Sequence, residues 1–400
     1  IFCITADLGN IDIHSCIACT HFFKGAKTEV HMILWIIVFV YSAFVLLIIG
    51  LGYFKQQEKE STYYSGQKIK MDQLTVLIPY RNEEANILNL IDALEKSSVQ
   101  PKQIIFIDDH STDKSALLLS ERKKNHYQLI CLEDKFGKKE ALRLGIAHAE
   151  GEFILTLDAD ILMKSEYFRT ITQLEEADLY LFPVVLKGKN FWKVFFELDL
   201  LMVNALNSGL FGWHRPIIAS GANLLFRKEM FLKSDRYETH KHILSGDDIY
   251  LLRDFRHAKA DVRLVLNKDV TVVSETPNNL KSFFHQRLRW IAKTSHVKDH
   301  FATLIGIFQG LMIISFCCCF IYFLMHNEIK NAFFLFLVKA IIDLLGFAPY
   351  FVKVRSQKQL LYLIPYQFIY PIYLLIISIL LPFFRPVWKQ RSATVYTKSN

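Results

Sequence analysis

Long apolar runs lie near both ends of the chain, and shorter ones alternate with polar stretches between them. Residues 32–54 carry no charged side chain, which predicts a transmembrane helix by length and composition. A signal peptide is the alternative, but the run is long and lacks a cleavage site of small residues. Lys55, Lys59, Lys68 and Lys70 follow it, and the positive-inside rule places this basic flank in the cytoplasm.

Residues 1–31 show neither helical nor strand periodicity. Met32 would be a natural initiator, and it would put the apolar run at the very N-terminus. We therefore interpret the first residues as a disordered tail or a mis-called upstream extension. Mass spectrometry that finds the native N-terminus well before Met32 would refute the second interpretation.

Between residues 70 and 295 the pattern changes to short apolar runs that alternate with helical spacing. Buried strands are predicted at Leu74–Pro79, Gln103–Ile107, Gln128–Leu132 and from Phe153 up to an acidic pair. Helices are predicted between them, from about residue 82 or 83, over residues 114–124 and over residues 136–151. This alternation indicates right-handed crossovers and a sheet covered on both faces. The predicted fold class is α/β, with a doubly wound, mostly parallel sheet.

Acidic residues follow three of these strands, in the stretches YRNEE, DDHSTD and DAD, and ligands of such sheets bind at the carboxyl ends of strands. Asp158 and Asp160 are two residues apart, so an extended chain points both carboxylates to the same side. Such a pair is costly to desolvate without a cation. Hard-cation rules favour Mg²⁺ or Mn²⁺, completed by substrate phosphates. For D-x-D alone, a pair of solvated loop acids is the simpler interpretation.

The apolar pattern returns in the second half of the chain. Residues 190–212 resemble a membrane span but carry Lys193, Glu197 and Asp199, which favours an amphipathic helix lying on the bilayer or on the domain surface. The region 301–384 then contains further segments that are each long enough to cross a membrane. Their bounds are roughly 301–325, 332–352 and 360–384.

Two features of these segments bear on topology. Lys339 and Asp343 are four residues apart and can pair on one face inside a helix bundle, where a structural role is favoured over a substrate role. Three C-terminal crossings put residues 385–400 outside, whereas the basic residues of that tail argue for inside. Pro365 and Pro371 could break the last segment into a re-entrant or interfacial piece, so both topologies stay open.

Composition narrows the class of protein. An apolar fraction of 52% and a mean hydropathy of +0.21 are too high for a purely soluble enzyme. The formal charge of +8 fits a protein beside anionic lipid headgroups or phosphate substrates. The basic residues form no arm or patch typical of nucleic-acid binding. The seven cysteines form no disulfide framework, Cys16-x-x-Cys19 is interpreted as incidental, and a reducing compartment fits.

Several stretches stand in a fixed order along the chain: LTVLIPYRNEEANI, IIFIDDHSTDKS, FGKKEALRLGIAHAEGEFILTLDADI, SGANLLFRKEMF, SGDDIYLL and QRLRW. In sequence and order they resemble the family 2 glycosyltransferases, which are membrane-anchored enzymes with a GT-A catalytic fold. The resemblance runs from about Leu74 to Trp290, over more than half of the chain. It implies transfer of a sugar from a nucleotide-sugar with inversion at the anomeric carbon.

The resemblance assigns a first group of residues to the nucleotide-sugar. They are Tyr80, Glu83, Asp108, Asp109, Lys138, Asp158, Gln286, Arg289 and Trp290. Asp108 could instead cap the turn that follows it. Asp158 and Asp160 would hold the divalent metal, which offsets charge on the leaving nucleotide. Arg289 would grip the diphosphate in a bidentate fashion, and Arg143 stands where the family usually has asparagine.

A second group is implied for the acceptor and the chemistry. Gly221-Ala222-Asn223 resembles the acceptor-side loop of the family, although a plain tight turn is as good an interpretation for Ala222. Trp290 offers its ring face to an acceptor sugar or lipid head. Asp248 is implied as the base that takes the acceptor proton, and Asp247 as the residue that orients the loop or an acceptor hydroxyl. The structural alternative for this pair is a helix N-cap.

The predicted function is a membrane glycosyltransferase that uses a nucleotide-sugar, with a UDP-sugar favoured, and a membrane lipid or lipid-linked acceptor. The tail WKQRSATVY loosely resembles the ending of lipid-type glucosyltransferases, with Gln390 in place of a glycine. The alternative is a processive polysaccharide synthase, for which four spans are few; an inactive scaffold or transporter subunit is a third interpretation. The expected partners are the donor, the acceptor and the bilayer, without nucleic acid. The catalytic domain at residues 70–295 is expected to face the cytoplasm, at the plasma (inner) membrane.

Overall fold

The computed structural model describes residues 31–122, 124–234, 247–297, 299–384, 387–388 and 391–392. Residues 1–30 of the predicted tail (residues 1–31), Ser245-Gly246 and most of the basic tail lie outside the described residues. In chain order the strands are β1 Leu74–Tyr80, β2 Gln103–Asp108, β3 Tyr127–Cys131, β4 Phe153–Leu157, β5 Ile161–Leu162, β6 Leu179–Leu181, β7 Val184–Lys187, β8 Asn223–Arg227, β9 Val262–Leu264, β10 Val272–Glu275, β11 Val387–Trp388 and β12 Arg391–Ser392.

The α-helices, in chain order, are α1 His31–Ser61, α2 Ile87–Glu95, α3 Ser115–Glu121, α4 Lys138–His148, α5 Tyr167–Ile171, α6 Phe191–Gly212, α7 Lys228–Ser234, α8 Asp247–His257, α9 Leu280–Val297, α10 His300–Met325, α11 Ile329–Lys353 and α12 Leu363–Leu380. Helix α1 contains π-helical turns at Phe44–Leu51. Short 3₁₀ turns precede and follow α12, at Gln357–Tyr362 and Leu381–Phe383.

A seven-stranded sheet in the order β3-β2-β1-β4-β8-β6-β9 forms the centre of residues 70–295, the predicted catalytic domain, which we call the catalytic half. Strands β3, β2, β1 and β4 pair in parallel, as predicted, and β8 runs antiparallel to both β4 and β6. In register, Tyr80 stands beside Asp108, and Asp108 stands beside Cys131. The first three strands therefore end at one edge of the sheet, where the predicted ligand residues follow.

Both faces of this sheet are buried, which explains why its strands read as continuous apolar runs. Successive residues of β1 alternate between the two faces: Val76 and Ile78 pack with helix α2, whereas Leu77 packs with helix α4. Every residue of β1 and β2 is buried. The α/β fold class is thus built as the sequence pattern predicts.

A second sheet has the order β5-β10-β7 and lies next to the D-x-D stretch. Strand β10 is antiparallel to β5 and parallel to β7. Strands of two to four residues leave no readable periodicity in the sequence, so this sheet was not predicted. Its consequence for the site is that it brings Ser274 of β10 to Asp160.

Helix α1 is longer than the predicted span at residues 32–54 and ends within the catalytic half. The Gln56 amide donates to the backbone oxygen of Leu264 at 2.5 Å. The Glu60 carboxylate accepts from the Leu266 amide at 3.0 Å. The polar end of α1 is thus hydrogen-bonded to the segment that begins with β9, which holds the sheet next to the membrane helices.

Helix α6 coincides with the stretch predicted to be an amphipathic helix on a surface, but it lies inside the protein. In its most apolar stretch, 83% of the residues are buried. Its two acidic residues have partners there: Asp199 pairs with Arg287, and Glu197 accepts from Gln359 at 2.8 Å. Polar residues in an otherwise apolar helix indicate paired groups in a packed interior as readily as a wet surface.

Within the described residues, α1, α6, α10, α11 and the segment Gln357–Phe383 are long and apolar enough to cross a membrane. The protein is therefore a membrane protein. Lys339 and Asp343 of α11 do pair, at 2.7 Å, inside the helix bundle. Gln367 of α12 bonds both of them, and Tyr41 of α1 donates to Asp343, so one polar cluster joins three helices.

The last apolar segment contacts the catalytic half at both of its ends. At the start, the Tyr362 ring lies 6.4 Å from the Phe191 ring of α6. At the end, the Phe384 ring lies 5.2 Å from the His285 ring of α9. Between them, Tyr373 contacts Phe283 of α9. Helix α12 thus packs along α6 and α9.

Candidate active site

A cavity of about 510 Å³ opens where β1 and β4 end. Most of the residues that the sequence nominated line it together, although they come from distant parts of the chain. They are Tyr80, Glu83, Asp109, Lys138, Asp158, Asp160, Gly221, Ala222, Asp248, Gln286, Arg289 and Trp290. Asp108 and Asn223 are not among the lining residues. The side chain of Asp247 lies outside the described part of the chain.

The D-x-D pair follows the last residue of β4 and faces this cavity. Asp158 forms an ion pair with Lys138. Gly137 precedes Lys138 with a φ of 98°, a backbone conformation that favours glycine, and it turns the chain into helix α4 beside Asp158. Asp160 accepts a hydrogen bond from the Ser274 hydroxyl at 3.4 Å. Two carboxylates and one ammonium thus stand at the floor of the cavity.

Asp248 lies in the first turn of α8, and its carboxylate faces the same cavity as Asp160. One oxygen accepts from the Gly221 amide at 3.2 Å. The other accepts from its neighbour, the Ile249 amide, at 2.9 Å. The acceptor-side loop and the second acidic pair are therefore in direct contact, which sequence order alone did not indicate.

The first two strand ends form the opposite wall, and here the structure distinguishes the two neighbouring aspartates. Both are buried, but Asp109 lines the cavity, whereas Asp108 does not and accepts from the Ser111 amide at 2.8 Å. That bond is the turn cap considered from the sequence. Burial and the nearby Asp108 carboxylate raise the pKa of the Tyr80 phenol well above its ordinary value, so Tyr80 stays neutral.

Asn223 has a different environment from its two loop neighbours. It is fully buried, and its amide donates to the backbone oxygens of Pro183 at 3.0 Å and Val270 at 2.9 Å. Its oxygen accepts from the Tyr167 hydroxyl at 2.5 Å. These bonds connect the large sheet to the loop before β10, so Asn223 holds the scaffold while Gly221 and Ala222 reach the cavity.

The Q-x-x-R-W stretch lies on helix α9, and Gln286, Arg289 and Trp290 all line the cavity. Arg287, a variable position of that motif, was not nominated, yet it also lines the cavity and is buried. Its Nε lies 2.5 Å from a carboxylate oxygen of Asp199. Its guanidinium stacks on Trp290, 4.3 Å from the ring centre. The sequence signal that could have found this pair is Asp199 itself. A carboxylate in an apolar helix, once buried, needs a cationic partner elsewhere in the chain.

The roof of the cavity comes from helices that are long and apolar enough to cross a membrane, which the sequence did not indicate. Tyr350 of α11 and Tyr370, Tyr373 and Leu374 of α12 line it. A second cavity of about 300 Å³ lies among α1, α6, α10, α11 and α12. Val203 and Tyr370 line both cavities, so the two adjoin.

Residues 75–232, which carry most of the seven-stranded sheet and the D-x-D pair, match Glycosyl transferase family 2. They form a family 2 glycosyltransferase domain. The resemblance seen in the sequence motifs is thereby confirmed at the level of the family.

Among curated proteins, this chain is similar to an undecaprenyl-phosphate 4-deoxy-4-formamido-L-arabinose transferase of Proteus mirabilis. The two are 36% identical over 98 residues, which are 23% of this chain and 30% of that protein. It is also similar to a poly-beta-1,6-N-acetyl-D-glucosamine synthase of Staphylococcus epidermidis, at 31% identity over 98 residues, or 24% of each chain. The chain thus spans under a third of the length of these two relatives.

Among solved structures, the protein resembles a mannosyltransferase from Pyrobaculum calidifontis in complex with GDP-Man and Mn²⁺. The TM-score is 0.57 at 15% identity, and the likeness covers 88% of this chain and 99% of that one. At this identity the likeness concerns the fold. It confirms the predicted GT-A class and extends beyond the family 2 domain into the apolar helices.

The oxygen groups around the D-x-D pair are of the kind that binds a hard divalent cation. Among the described residues, no three His, Cys, Asp or Glu side chains are grouped so as to hold a metal ion by themselves. Asp158 and Asp160 supply carboxylates at the cavity floor, with the Ser274 hydroxyl next to them. Two carboxylates completed by substrate phosphates are the usual protein contribution to Mg²⁺ and Mn²⁺ sites.

Proposed function

We propose that this protein is an inverting, nucleotide-sugar-dependent glycosyltransferase that adds a sugar to a membrane lipid or lipid-linked acceptor. One observation carries the proposal. A single cavity is lined by Asp158 and Asp160 of the family 2 domain, by Asp248, and by side chains of α11 and α12, helices apolar enough to lie in a bilayer. A soluble donor and a membrane-dissolved acceptor could reach the same reacting point only in such a place.

The donor is proposed to lie against the β1 and β2 ends, with a UDP-sugar favoured. Tyr80, Glu83 and Asp109 are suited to contact the base and ribose, because the Tyr80 phenol stays neutral and can donate a hydrogen bond. Lys138 and Arg289 supply positive charge for the diphosphate, and the Arg289 fork suits bidentate contact. Arg143 does not line the catalytic cavity but a small cavity that adjoins it at Asp248, so we assign it no donor contact.

Asp158 and Asp160 are proposed to hold Mg²⁺ or Mn²⁺ together with the donor diphosphate. The metal would stabilise the negative charge that develops on the departing nucleotide. The Mn²⁺ and GDP-Man in the structure of the Pyrobaculum mannosyltransferase agree with this assignment. Lys138, which pairs with Asp158, would add a second positive charge beside the same diphosphate.

Asp248 is proposed as the base. The Gly221 and Ile249 amides hold its carboxylate at the cavity wall. An acceptor hydroxyl or phosphate oxygen that attacks the anomeric carbon from the face opposite the leaving group would come to this carboxylate, and a hydroxyl would lose its proton there. Asp247 and the Gly221–Ala222 loop would orient the acceptor, and Trp290 would offer it a ring face.

Two features favour a lipid acceptor over polysaccharide extension. The adjoining cavity of about 300 Å³ is lined mainly by apolar side chains at the level of the membrane helices, where a hydrocarbon chain fits. The Proteus relative is, by its name, a transferase of undecaprenyl phosphate, a lipid phosphate. The Staphylococcus relative is a polysaccharide synthase, and a processive synthase is therefore the second candidate.

The catalytic domain is proposed to face the cytoplasm, in the plasma (inner) membrane. Lys55 and Lys59 lie at the polar end of α1, on the catalytic side, as the positive-inside rule requires. The nucleotide-sugar donors of the proposed reaction are soluble cytoplasmic metabolites by chemical class, which agrees with this orientation.

The test is a transfer assay with membranes that hold the protein, labelled UDP- and GDP-sugars and Mn²⁺ or Mg²⁺. We expect label in the organic phase after partition, and its loss after chelation of the metal. Asp248→Asn should lose transfer by about 10²- to 10⁴-fold while it keeps nucleotide-sugar binding, because only the base is removed. Asp72→Asn, at an exposed position just before β1, is the matched control. Water-soluble or high-mass product would favour the synthase, and retained turnover in Asp248→Asn would remove Asp248 from its role.

A further inference from the structure

A further hollow of about 630 Å³ is open to solvent, lies apart from the catalytic cavity and shares no lining residue with it. Its walls are basic. The basic lining residues are Arg215, Arg253, Arg256 and Lys259, together with His214, His257 and His300. Asp299 is the only acidic residue among the described residues that line it. We call this site the basic hollow.

Two of its arginines are fixed by structural contacts. Arg256 donates to the backbone oxygen of Pro216 at 3.0 Å and pairs with Asp299 at 3.1 Å. Arg253 pairs with Asp254 at 2.9 Å. These pairs neutralise much of the charge of the walls, so the excess positive charge comes from Arg215 and Lys259, which are exposed at the rim. Neither has an acidic partner at ion-pair distance within the described part of the chain.

The basic hollow lies where membrane helices become polar. Phe301, in the first turn of α10, lines it, and α10 is apolar enough to cross a bilayer. The polar end of α1 reaches the same place, because Lys59 Nζ bonds the Gly212 oxygen at 3.2 Å and a His214 ring nitrogen at 2.8 Å. Next to it, Lys55 stacks over the Trp213 ring at 3.6 Å. Tryptophan and lysine at helix ends are typical of the headgroup level of a bilayer.

We propose that the basic hollow binds the headgroup of an anionic phospholipid from the surrounding bilayer. The phosphate would lie between Arg215 and Lys259, since the guanidinium fork and the ammonium are the two side-chain groups suited to phosphate. Phe211 and Phe301 would contact the glycerol end of the acyl chains. Helix α8 supplies Arg253 and Arg256 and α10 supplies His300, so one bound headgroup would tie the helix of the catalytic base to a membrane helix.

The experiment compares binding of phosphatidylglycerol and phosphatidylcholine to the purified full chain in detergent, by native mass spectrometry. The variant carries Arg215→Gln and Lys259→Gln, which leave the structural pairs of Arg253 and Arg256 intact. The control carries Arg122→Gln and Lys124→Gln, which remove the same charge near the amino end of β3, at the opposite edge of the sheet. Each contact to an anionic lipid contributes about 1 kcal/mol, so the variant should bind phosphatidylglycerol roughly 30-fold more weakly.

We expect the control to bind phosphatidylglycerol like the unmodified protein, and phosphatidylcholine binding to be equal in all three. Equal phosphatidylglycerol binding in the variant and the control would overturn the proposal. Competition by millimolar inorganic phosphate would overturn it as well, because the hollow would then be a site for soluble phosphate. Both substitutions are at exposed positions, and unchanged melting temperatures would exclude a folding defect as the cause of weaker binding.

Discussion

At the scale of single residues, the buried ion pair of Arg287 and Asp199 is a feature of the cavity that the sequence motifs did not predict. Both residues are buried and line the cavity, and the Arg287 guanidinium is held by Asp199 on one side and stacks on Trp290 on the other. A buried ion pair of this kind contributes little net stability, but it fixes geometry. Arg287 is therefore a positioning residue for the Trp290 ring, which is proposed to contact the acceptor.

The substitution Arg287→Lys tests this role. Lysine keeps the charge opposite Asp199 but loses the planar stack on Trp290 and the bond to the Phe196 oxygen, present at 3.2 Å. A desolvated cation–π contact is worth about 1 to 2 kcal/mol, so the acceptor KM should rise by roughly 5- to 30-fold. The donor KM should rise less than the acceptor KM, because the ring that Arg287 positions is proposed to contact the acceptor. Steady-state kinetics with each substrate varied in turn is the measurement.

A control separates positioning from folding. The double substitution Arg287→Met with Asp199→Leu replaces the whole pair by apolar side chains of similar size, which buried sites commonly tolerate. It should fold, and it should show the same rise in acceptor KM. If the donor KM rises as much as the acceptor KM in Arg287→Lys, the role assigned to Arg287 is wrong.

The site residues that the sequence predicts come from motifs, and each motif is a short stretch of consecutive residues. Asp158, Asp160 and Asp248 could be nominated because each follows a strand or begins a helix in a recognisable stretch. Asp199 and Arg287 could not, because no local pattern links two residues on helices that are far apart in the chain. Asp108 and Asp109 were inseparable in sequence, since only the register of β2 decides which side chain faces the cavity.

At the scale of elements, helices α1 and α6 cross at glycines, and this contact joins the membrane part to the catalytic half. A Cβ atom at Gly209 of α6 would lie 2.6 Å from both the Ile48 oxygen and the Ile49 Cα of α1. Gly52 of α1 faces Gly209 and Gly212 in the same way. The backbones therefore touch directly, and no side chain fits between them.

Gly209→Ala should destabilise the folded protein by about 1 to 3 kcal/mol, because the added methyl group meets backbone atoms that cannot rotate away. The measurement is the melting temperature in detergent. Gly306→Ala on α10 is the matched control, since a Cβ there would meet nothing within 4 Å. Alanine is about 1 kcal/mol better than glycine inside a helix, so the control should be neutral or more stable. A Gly209→Ala protein as stable as the control would show that the crossing tolerates separation.

Periodicity predicted the elements well where they are long or fully buried. The parallel strands β1 to β4 and the helices between them lie within a few residues of their predicted bounds. The sequence could not predict the crossing of α1 and α6. A glycine in an apolar run indicates a residue of low helix propensity, but it does not show that another helix packs against it. The prediction that α6 lies on a surface was wrong because the partners of its acidic residues could not be seen in the sequence. Asp199 and Glu197 are paired inside the protein.

At the scale of the whole molecule, the open question from the sequence was the side of the membrane on which the chain ends. Hydropathy gives the length of a segment but does not show whether the segment crosses the bilayer. The contacts of the last apolar segment bear on this point. Its start contacts Phe191 of α6 and its end contacts His285 of α9, both in the catalytic half. A helix that crossed the bilayer from α6 would end about one membrane thickness away from α9. Pro371 lies inside α12, in keeping with the re-entrant or interfacial alternative.

We therefore expect the chain to end on the same side as the catalytic domain, in agreement with the basic residues of the tail. Fusions of alkaline phosphatase and of green fluorescent protein to Asn400 measure this, since the first is active only outside and the second is fluorescent only inside the cytoplasm. The full-length fluorescent fusion should be bright and the phosphatase fusion inactive. The same reporters joined after His326, at the end of α10, should give the reverse pattern and confirm that both respond. An active phosphatase at Asn400 would mean that α12 spans the bilayer and that the re-entrant alternative is wrong.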